Sequence, residues 1–289
     1  MTCRPPVLCE ESRRSEDINR NYHYLYKGVY ASTNEYNYNN FSTGKKVKVM
    51  KKKTTNWKVA SLALMVAAMP FCADAQDKVE TSVGADLVSG YIWRGQELGG
   101  VSLQPSLSVA YKGFSIGAWG SVGMESSDTK EFDLTVGYST GGFSLSVTDY
   151  WFNVAGDGEA KYFHYSSRSA SNSHVFEAQI GYDFGPLALN WYTNFAGADG
   201  VKANGKRAYS SYIAAAVPFK LGGLEWTAEA GATPWETSFY GSNGFAVVDL
   251  SIGASKEIKV TDTFSLPLFA KATWNPRTEG AYLTVGISF

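Results

Sequence analysis

From Val79 onward the chain falls into short segments in which apolar and small polar side chains alternate, with turn signals between them. Successive side chains on a strand point to opposite faces, so each segment offers one apolar and one polar face. A tilted strand of about ten residues is long enough to cross the hydrocarbon layer of a membrane. Such segments run over 79–94, 101–112, 113–124, 130–139, 142–153, 174–184, 186–196, 207–219, 222–233, 243–256, 260–274 and 280–289. The expected fold is all-β: a transmembrane antiparallel up-and-down β-barrel of about 12 strands over residues 77–289.

The alternation assigns faces. Phe132, Leu134, Val136 and Tyr138 share one parity, against Asp133, Thr135 and Gly137. Phe176, Ala178, Ile180, Tyr182 and Phe184 stand against Glu177 and Gln179, and Leu283, Val285, Ile287 and Phe289 against Thr284, Gly286 and Ser288. A soluble β-sandwich alternates as well, with its apolar side turned in. Three other features favour the barrel: an export leader, tight turns alternating with the long connections 154–173, 197–206 and 234–242, and aromatic residues at strand ends. Tyr91, Trp93, Tyr150, Trp151, Tyr192, Phe195, Trp235 and Trp274 would form one interfacial girdle, and Tyr111, Tyr138, Phe184, Phe219 and Phe289 the other.

The only long apolar run, Val59 to Cys72, is too short for a spanning helix, which needs ~20 apolar residues. It follows Lys51, Lys52, Lys53 and Lys58 and precedes Ala73-Asp74-Ala75, the charge, core and small-x-small order of a signal peptide over 50–75. Phe71 is bulky where lipidation of Cys72 would favour a small neighbour. Residues 1–49 show no sustained period, so translation is expected to start at Met50, with 1–49 a non-native upstream extension. All three cysteines lie upstream of the cleavage point, leaving the exported part without a disulfide framework. From residue 77 onward 21 acidic residues stand against 14 basic ones, which argues against a nucleic-acid partner.

Extending the face assignment inward places Glu80, Asp86, Asp133, Glu177, Glu225, Glu229 and Asp249 in the lumen with Arg94 and Lys271. The candidates for selectivity are Asp86, Arg94, Asp133, Glu177, Glu229, Asp249 and Lys271. One reading is a path that concentrates cations, because like charges in a narrow low-dielectric tube focus the field. The other is a hydrogen-bonded plug that fills the barrel and holds it rigid. In Ser89-Gly90-Tyr91-Ile92-Trp93-Arg94-Gly95, parity sends Tyr91 and Trp93 outward and Arg94 inward. Arg94 could bind an anionic group at the barrel mouth; pairing with Asp133 or Glu177 is the stronger expectation.

An enzymatic reading finds little support. His164 and His174 are the only histidines after the leader, and no same-face serine accompanies His174, so no proton-transfer pair is visible. Asp157 and Glu159 near these histidines lack metal-ligand spacing. Neither a catalytic residue, a cofactor nor a metal is expected. The long 154–173 connection could enter the pore as a constriction or project as a receptor surface.

Gly84-Ala85-Asp86-Leu87-Val88-Ser89-Gly90-Tyr91-Ile92-Trp93-Arg94-Gly95, then Gln104-Pro105 and Gly113-Phe114-Ser115-Ile116-Gly117-Ala118-Trp119-Gly120-Ser121, resembles the TorF-type family of bacterial outer-membrane, porin-like proteins. That family shows Tyr-x-aromatic-Arg-Gly near the mature start and an aromatic-Gly-x-Trp strand shortly after. The likeness is strongest over about 81–152. Departures are Glu97-Leu98-Gly99, in place of a Ser-rich loop, and the expanded 154–173 connection. The resemblance implies an outer-membrane location and a porin-like role with no assigned substrate.

The expected function is therefore passive passage of small neutral or cationic solutes across a bacterial outer membrane. The alternative is a plugged, non-transporting barrel with structural, adhesive or envelope-maintenance work. The expected partners are outer-membrane lipid and the outer-membrane insertion machinery, reached through the final strand ending at Phe289.

Overall fold

The computed structural model describes residues 78–153, 161–165, 173–261 and 265–289. Expectations for the leader and for 1–49 fall on residues outside this set. The strands are β1 (Glu80–Val88), β2 (Tyr91–Trp93), β3 (Gln96–Gly99), β4 (Ser102–Tyr111), β5 (Phe114–Gly123), β6 (Lys130–Thr140) and β7 (Phe143–Asn153). They continue as β8 (His174–Asp183), β9 (Ala188–Gly197), β10 (Ser211–Leu221), β11 (Leu224–Thr233), β12 (Ala246–Lys259), β13 (Ser265–Asn275) and β14 (Gly280–Ser288). Among the described residues there is no helix.

Twelve of these strands form one closed antiparallel barrel in the order β1-β14-β13-β12-β11-β10-β9-β8-β7-β6-β5-β4, and β2 and β3 form a separate two-stranded sheet. The seam is short. β1 meets β14 at Asp86↔Ser288, Leu87↔Ile287 and Val88↔Gly286, extended by hydrogen bonds between Ala85 and Phe289.

Both barrel termini lie at the end where neighbouring strands are joined by tight turns, here the turn end. Lys112 and Gly113 make one such turn with positive φ at both positions, the backbone that matches strand twist in a two-residue hairpin. The longer connections gather at the opposite, loop end: 89–101, 124–129, 154–173, 198–210 and 234–245, with the short 276–279.

The outer wall is apolar. Val83, Leu107, Val122, Ile180, Leu283 and their neighbours are exposed there, as lipid-facing positions should be. The inward rows change character along the barrel. On β6 Glu131 and Asp133 are buried, Thr135 and Gly137 are half-buried, and Ser139 is exposed. The same run from buried to exposed follows Tyr212, Ala214, Ala216, Pro218 and Lys220 on β10, and Asp249, Ser251, Gly253, Ser255 and Glu257 on β12. The lumen is thus packed at the loop end and open to solvent at the turn end.

One expected strand is wrong. The segment 79–94 leaves the barrel after Val88, and residues 91–99 fold into the β2–β3 hairpin instead. Ser89 still pairs with β14 through its backbone N–H to the Val285 carbonyl at 2.8 Å. Beyond it the chain turns inward, and Arg94 and Gly95, both at positive φ, reverse it between Trp93 and Gln96.

Candidate functional site: the hairpin across the lumen

The β2–β3 hairpin is fastened to the barrel by long-range polar contacts, and Arg94 is at its tip. The guanidinium makes a bidentate pair with Glu177 of β8, at 2.6 and 2.9 Å, and donates to the Tyr240 hydroxyl at 2.8 Å. Its carbon lies 4.3, 4.1 and 4.8 Å from the ring centroids of Trp93, Tyr192 and Tyr212, within cation–π range. Tyr150 of β7 adds a hydrogen bond from its hydroxyl to Glu177 at 2.9 Å. A planar fork with five donors suits this enclosure, since it satisfies a carboxylate and stacks on aromatic faces together.

The hairpin touches the wall nearly all the way round. Tyr91 packs against Trp119 of β5, with its hydroxyl beside Glu131 of β6. Trp93 meets Tyr150, Phe239 and Tyr240 edge-on or tilted. Asn275 of β13 donates from its side-chain amide to the Gly95 carbonyl at 3.0 Å, and Thr284 of β14 donates to the Gly90 carbonyl at 3.4 Å. Gly95 lies so close to β12 that a Cβ there would overlap the Val248 carbonyl.

Arg94 itself sits at φ 48°, a left-handed conformation costing a non-glycine residue roughly 1–2 kcal/mol. Such strain persists only where the surroundings over-determine it, and the Glu177 pair does so here. Gly95→Ala is expected to unseat the hairpin, since φ 74° already disfavours a side chain and the Val248 backbone cannot move aside cheaply. Limited trypsin digestion of the folded barrel checks this. Cleavage after Arg94 should be absent in the wild type and present in the variant.

Two loops close the space above the hairpin. Asp199 is buried and accepts hydrogen bonds from the backbone N–H of Gly200 at 2.7 Å and of Ser210 at 3.2 Å. Ser210 and Thr237 join the 198–210 and 234–245 connections through their hydroxyls at 2.5 Å. Tyr240, from the second of these loops, reaches down to Arg94.

Apart from Arg94, at the hairpin tip, each lumen candidate from the sequence stands on an inward row of the barrel, in different settings. Glu177 and Arg94 form the central pair. Asp249 and Glu229 both face the Tyr212 hydroxyl, at 3.4 and 3.0 Å. Asp133 is buried on β6, and Asp86 is half-buried on β1. Lys271 lines a cavity of about 460 Å³ at the turn end, with Lys220, Glu225, Thr227, Ser255 and Phe269. There Lys220 pairs with Glu225 at 2.7 Å.

The girdle assignment needs correcting. Tyr91 and Trp93 point into the lumen with the hairpin rather than outward. Tyr150, opposite Asp133 in the ladder, and Tyr192, opposite Gln179, also face inward by register. Trp151, Phe195 and Trp274 remain on the outer wall. Glu131, which shares Asp133's parity, was missed as a lumen residue although the alternation could have found it. Tyr240 and Asp199, on irregular loops, carry no periodic signal at all.

The outer wall also holds a pair that parity alone did not reveal. His174 Nδ1 lies 2.7 Å from the Asp149 carboxylate across the β7–β8 ladder, and Nε2 lies 2.5 Å from the Tyr162 carbonyl. Both acceptors face ring nitrogens, so the imidazole is held as a clamp. Tyr165 stacks on it at 4.2 Å between centroids. Residues 161–165 therefore lie against the outside of the barrel, while 154–160 and 166–172 are outside the described residues. Burial against this wall, reinforced by the nearby Asp149 charge, pushes the Tyr162 and Tyr165 hydroxyls above the usual phenol range.

A family model described as a bacterial protein of unknown function (Gcw_chp) matches residues 72–270. That span takes in the Tyr91–Gly95 motif as well as most of the barrel; the TorF-type name remains a resemblance beside it. No curated protein matches. Among solved structures the chain is similar to a KdgM porin, at 8% identity and a TM-score of 0.38, covering 73% of this chain and 98% of that one.

Proposed function

We propose that this chain, which belongs to the Gcw_chp family of bacterial proteins of unknown function, is an outer-membrane channel that rests closed. In this reading the Tyr91–Gly99 hairpin is a resident plug, and small neutral or cationic solutes pass when it withdraws. The observation that carries the proposal is the Arg94–Glu177 pair, which fastens a hairpin lying across the lumen to the facing wall. An apolar outer wall and a closed twelve-stranded sheet are what a membrane-spanning barrel requires.

A channel is favoured over a solid barrel by the inner half of the lumen. Its hydroxyl-lined rows stay exposed, and the cavity at Lys271 opens there. A barrel built only as a rigid post would be expected to fill that half with side chains too. The second reading, a non-transporting barrel with structural or adhesive work, rests on the same hairpin taken as permanent.

Single-channel recording of the refolded protein in a planar bilayer separates the two. Long silent periods broken by discrete, cation-preferring openings are expected; silence at every voltage favours the permanent plug. Once the pore is open, Asp133→Asn together with Asp249→Asn should lower the cation preference measured from the reversal potential. An unchanged reversal potential would remove these carboxylates from the selectivity path.

Export follows from the leader in the same proposal. N-terminal sequencing of membrane-extracted protein is expected to begin at Gln76, and a start at Met1 or Met50 would contradict processing at Ala75. The exposed Phe289, closing the seam through Ala85, is then the residue offered to the insertion machinery.

A further inference from the structure

We propose that residues 161–165, strapped over the outer wall at the loop end, form a seat for an anionic membrane lipid, with Lys130 and Lys161 on its headgroup phosphate and Phe163 among its acyl chains. The seat rests on the reading of the chain as a membrane-spanning barrel, and it stands whether or not the hairpin opens.

The outward faces of β6, β7 and β8 are apolar or aromatic over most of their length, yet toward the loop end they carry Asp149 and His174. A carboxylate and an imidazole turned to hydrocarbon are costly. Here neither meets it. His174 is wholly buried and the Asp149 side chain is 14% exposed, because the strap covers both. The Tyr162 carbonyl lies 2.5 Å from Nε2, and Tyr165 stacks on the imidazole while its hydroxyl donates to Asp149 at 3.4 Å. The strap therefore stands where lipid would otherwise touch the wall, and its far side meets the lipid instead.

That far side has the chemistry of the membrane–water boundary. Phe163 is 88% exposed, and Lys161 beside it is exposed too. The Tyr162 ring packs on Phe132 of β6 at 5.5 Å and on Trp151 of β7 at 5.7 Å, so the strap reaches across to β6. Lys130, two residues from Phe132 on the same outward face and nearer the loop end, is exposed. Two ammonium groups thus flank one aromatic cluster.

Among the described residues no ion pair includes either lysine. The acid on the outward faces of these three strands is Asp149, and His174 holds it. Lysine suits this level, since its stem lies on apolar surface while the ammonium stays among headgroups, and aromatic rings gather at the same height. A cationic patch with no competing acid prefers a lipid of net negative charge to a zwitterionic one. The preference expected is about 5-fold for each lysine and about 25-fold for the two.

All three cysteines lie upstream of the cleavage point, so Phe163→Cys gives the processed chain a single thiol for an environment-sensitive fluorophore. The labelled barrel is refolded into phosphatidylcholine vesicles holding a small fraction of brominated lipid, whose acyl chains quench on contact. Brominated phosphatidylglycerol should half-quench the label at a mole fraction roughly 25-fold below that of brominated phosphatidylcholine, and high salt should narrow the gap. Lys130→Ala with Lys161→Ala should close it. Asp149→Leu with His174→Phe keeps the wall apolar but removes the clamp, and quenching by either lipid should then fall.

An unquenched label in an inserted barrel, or equal quenching by the two lipids, overturns the seat. A gap that survives loss of both lysines overturns their part in it, and quenching unchanged without the clamp overturns the strap as what positions Phe163. A chain that does not insert, seen as no heat-dependent shift in electrophoretic mobility, overturns instead the membrane-spanning reading on which the seat rests.

Discussion

Replacing residues 89–101 by Asn-Gly is expected to turn a mostly silent barrel into one with steady conductance. The strands on either side are already in register, since Val88 faces Ser102 and the β1–β4 ladder continues to Glu80↔Ala110. A two-residue Asn-Gly turn has the backbone a hairpin of this register needs. The barrel should survive the excision. Glu177, Glu131 and Asp133 lose the hairpin but gain water, so no carboxylate is left buried without a partner. The seam between β1 and β14 does not use the removed residues, except for the Ser89 hydrogen bonds. Single-channel recording is the measurement. Continuous open current in the shortened barrel supports the hairpin as the plug; silence equal to the wild type would mean that other side chains close the lumen, with the 198–210 and 234–245 loops the first suspects.

Glu177→Gln is the second large expected effect. The substitution keeps the shape of the side chain but strips the buried Arg94 of its counter-charge. Breaking a buried pair by removing one partner costs about 3–5 kcal/mol, because the remaining charge is uncompensated. With 1.4 kcal/mol to each factor of ten, the hairpin's docked population should fall by roughly 10² to several times 10³ relative to the undocked one. Two readouts follow: frequent openings in the bilayer, and trypsin cleavage after Arg94 in the folded barrel. The double variant Arg94→Met with Glu177→Leu should be much closer to the wild type, since apolar replacement of a buried pair is often neutral. Recovery should be incomplete. The Tyr150 and Tyr240 hydroxyls lose their partners, at about 1 kcal/mol each. Equal opening in the single and double variants would show that charge balance is not what holds the hairpin.

These two expectations rest on the feature least visible in the sequence. Tyr91-Ile92-Trp93-Arg94 alternates as a strand does, and an aromatic at every second position looks like an interfacial girdle. What reverses the chain is the positive φ at Arg94 and Gly95, and Gly95 alone hinted at it. An arginine is not a residue that ordinarily favours that backbone. Its conformation is imposed by a partner 83 positions away, and the Gly95 carbonyl is held by Asn275, 180 positions away.

His174 shows the same division. Its parity and its place on the outer wall could be read from the alternation, but Asp149, 25 residues distant in the chain, comes within reach of it only through the β7–β8 register, which sets Trp151 opposite His174 and Asp149 one same-face position along. The connection 154–173 was a candidate constriction; its residues 161–165 lie outside the wall, and the lumen is crossed by the 89–101 connection instead.

What the sequence determined by itself was therefore everything governed by the two-residue period and by local turn chemistry: the closed all-β barrel, eleven of its strands to within a few residues, and the face on which the wall charges Asp86, Asp133, Glu177, Glu229, Asp249 and Lys271 stand. Those properties are local, because lipid on one side and polar groups on the other impose them strand by strand. Only the tertiary structure decided that the hairpin folds inward and that Arg94 chooses Glu177. It also placed Glu131 and Asp133 beside the Tyr91 hydroxyl. Each of these depends on which distant residues the closed barrel brings to the same height in its lumen, and no period along the chain encodes that.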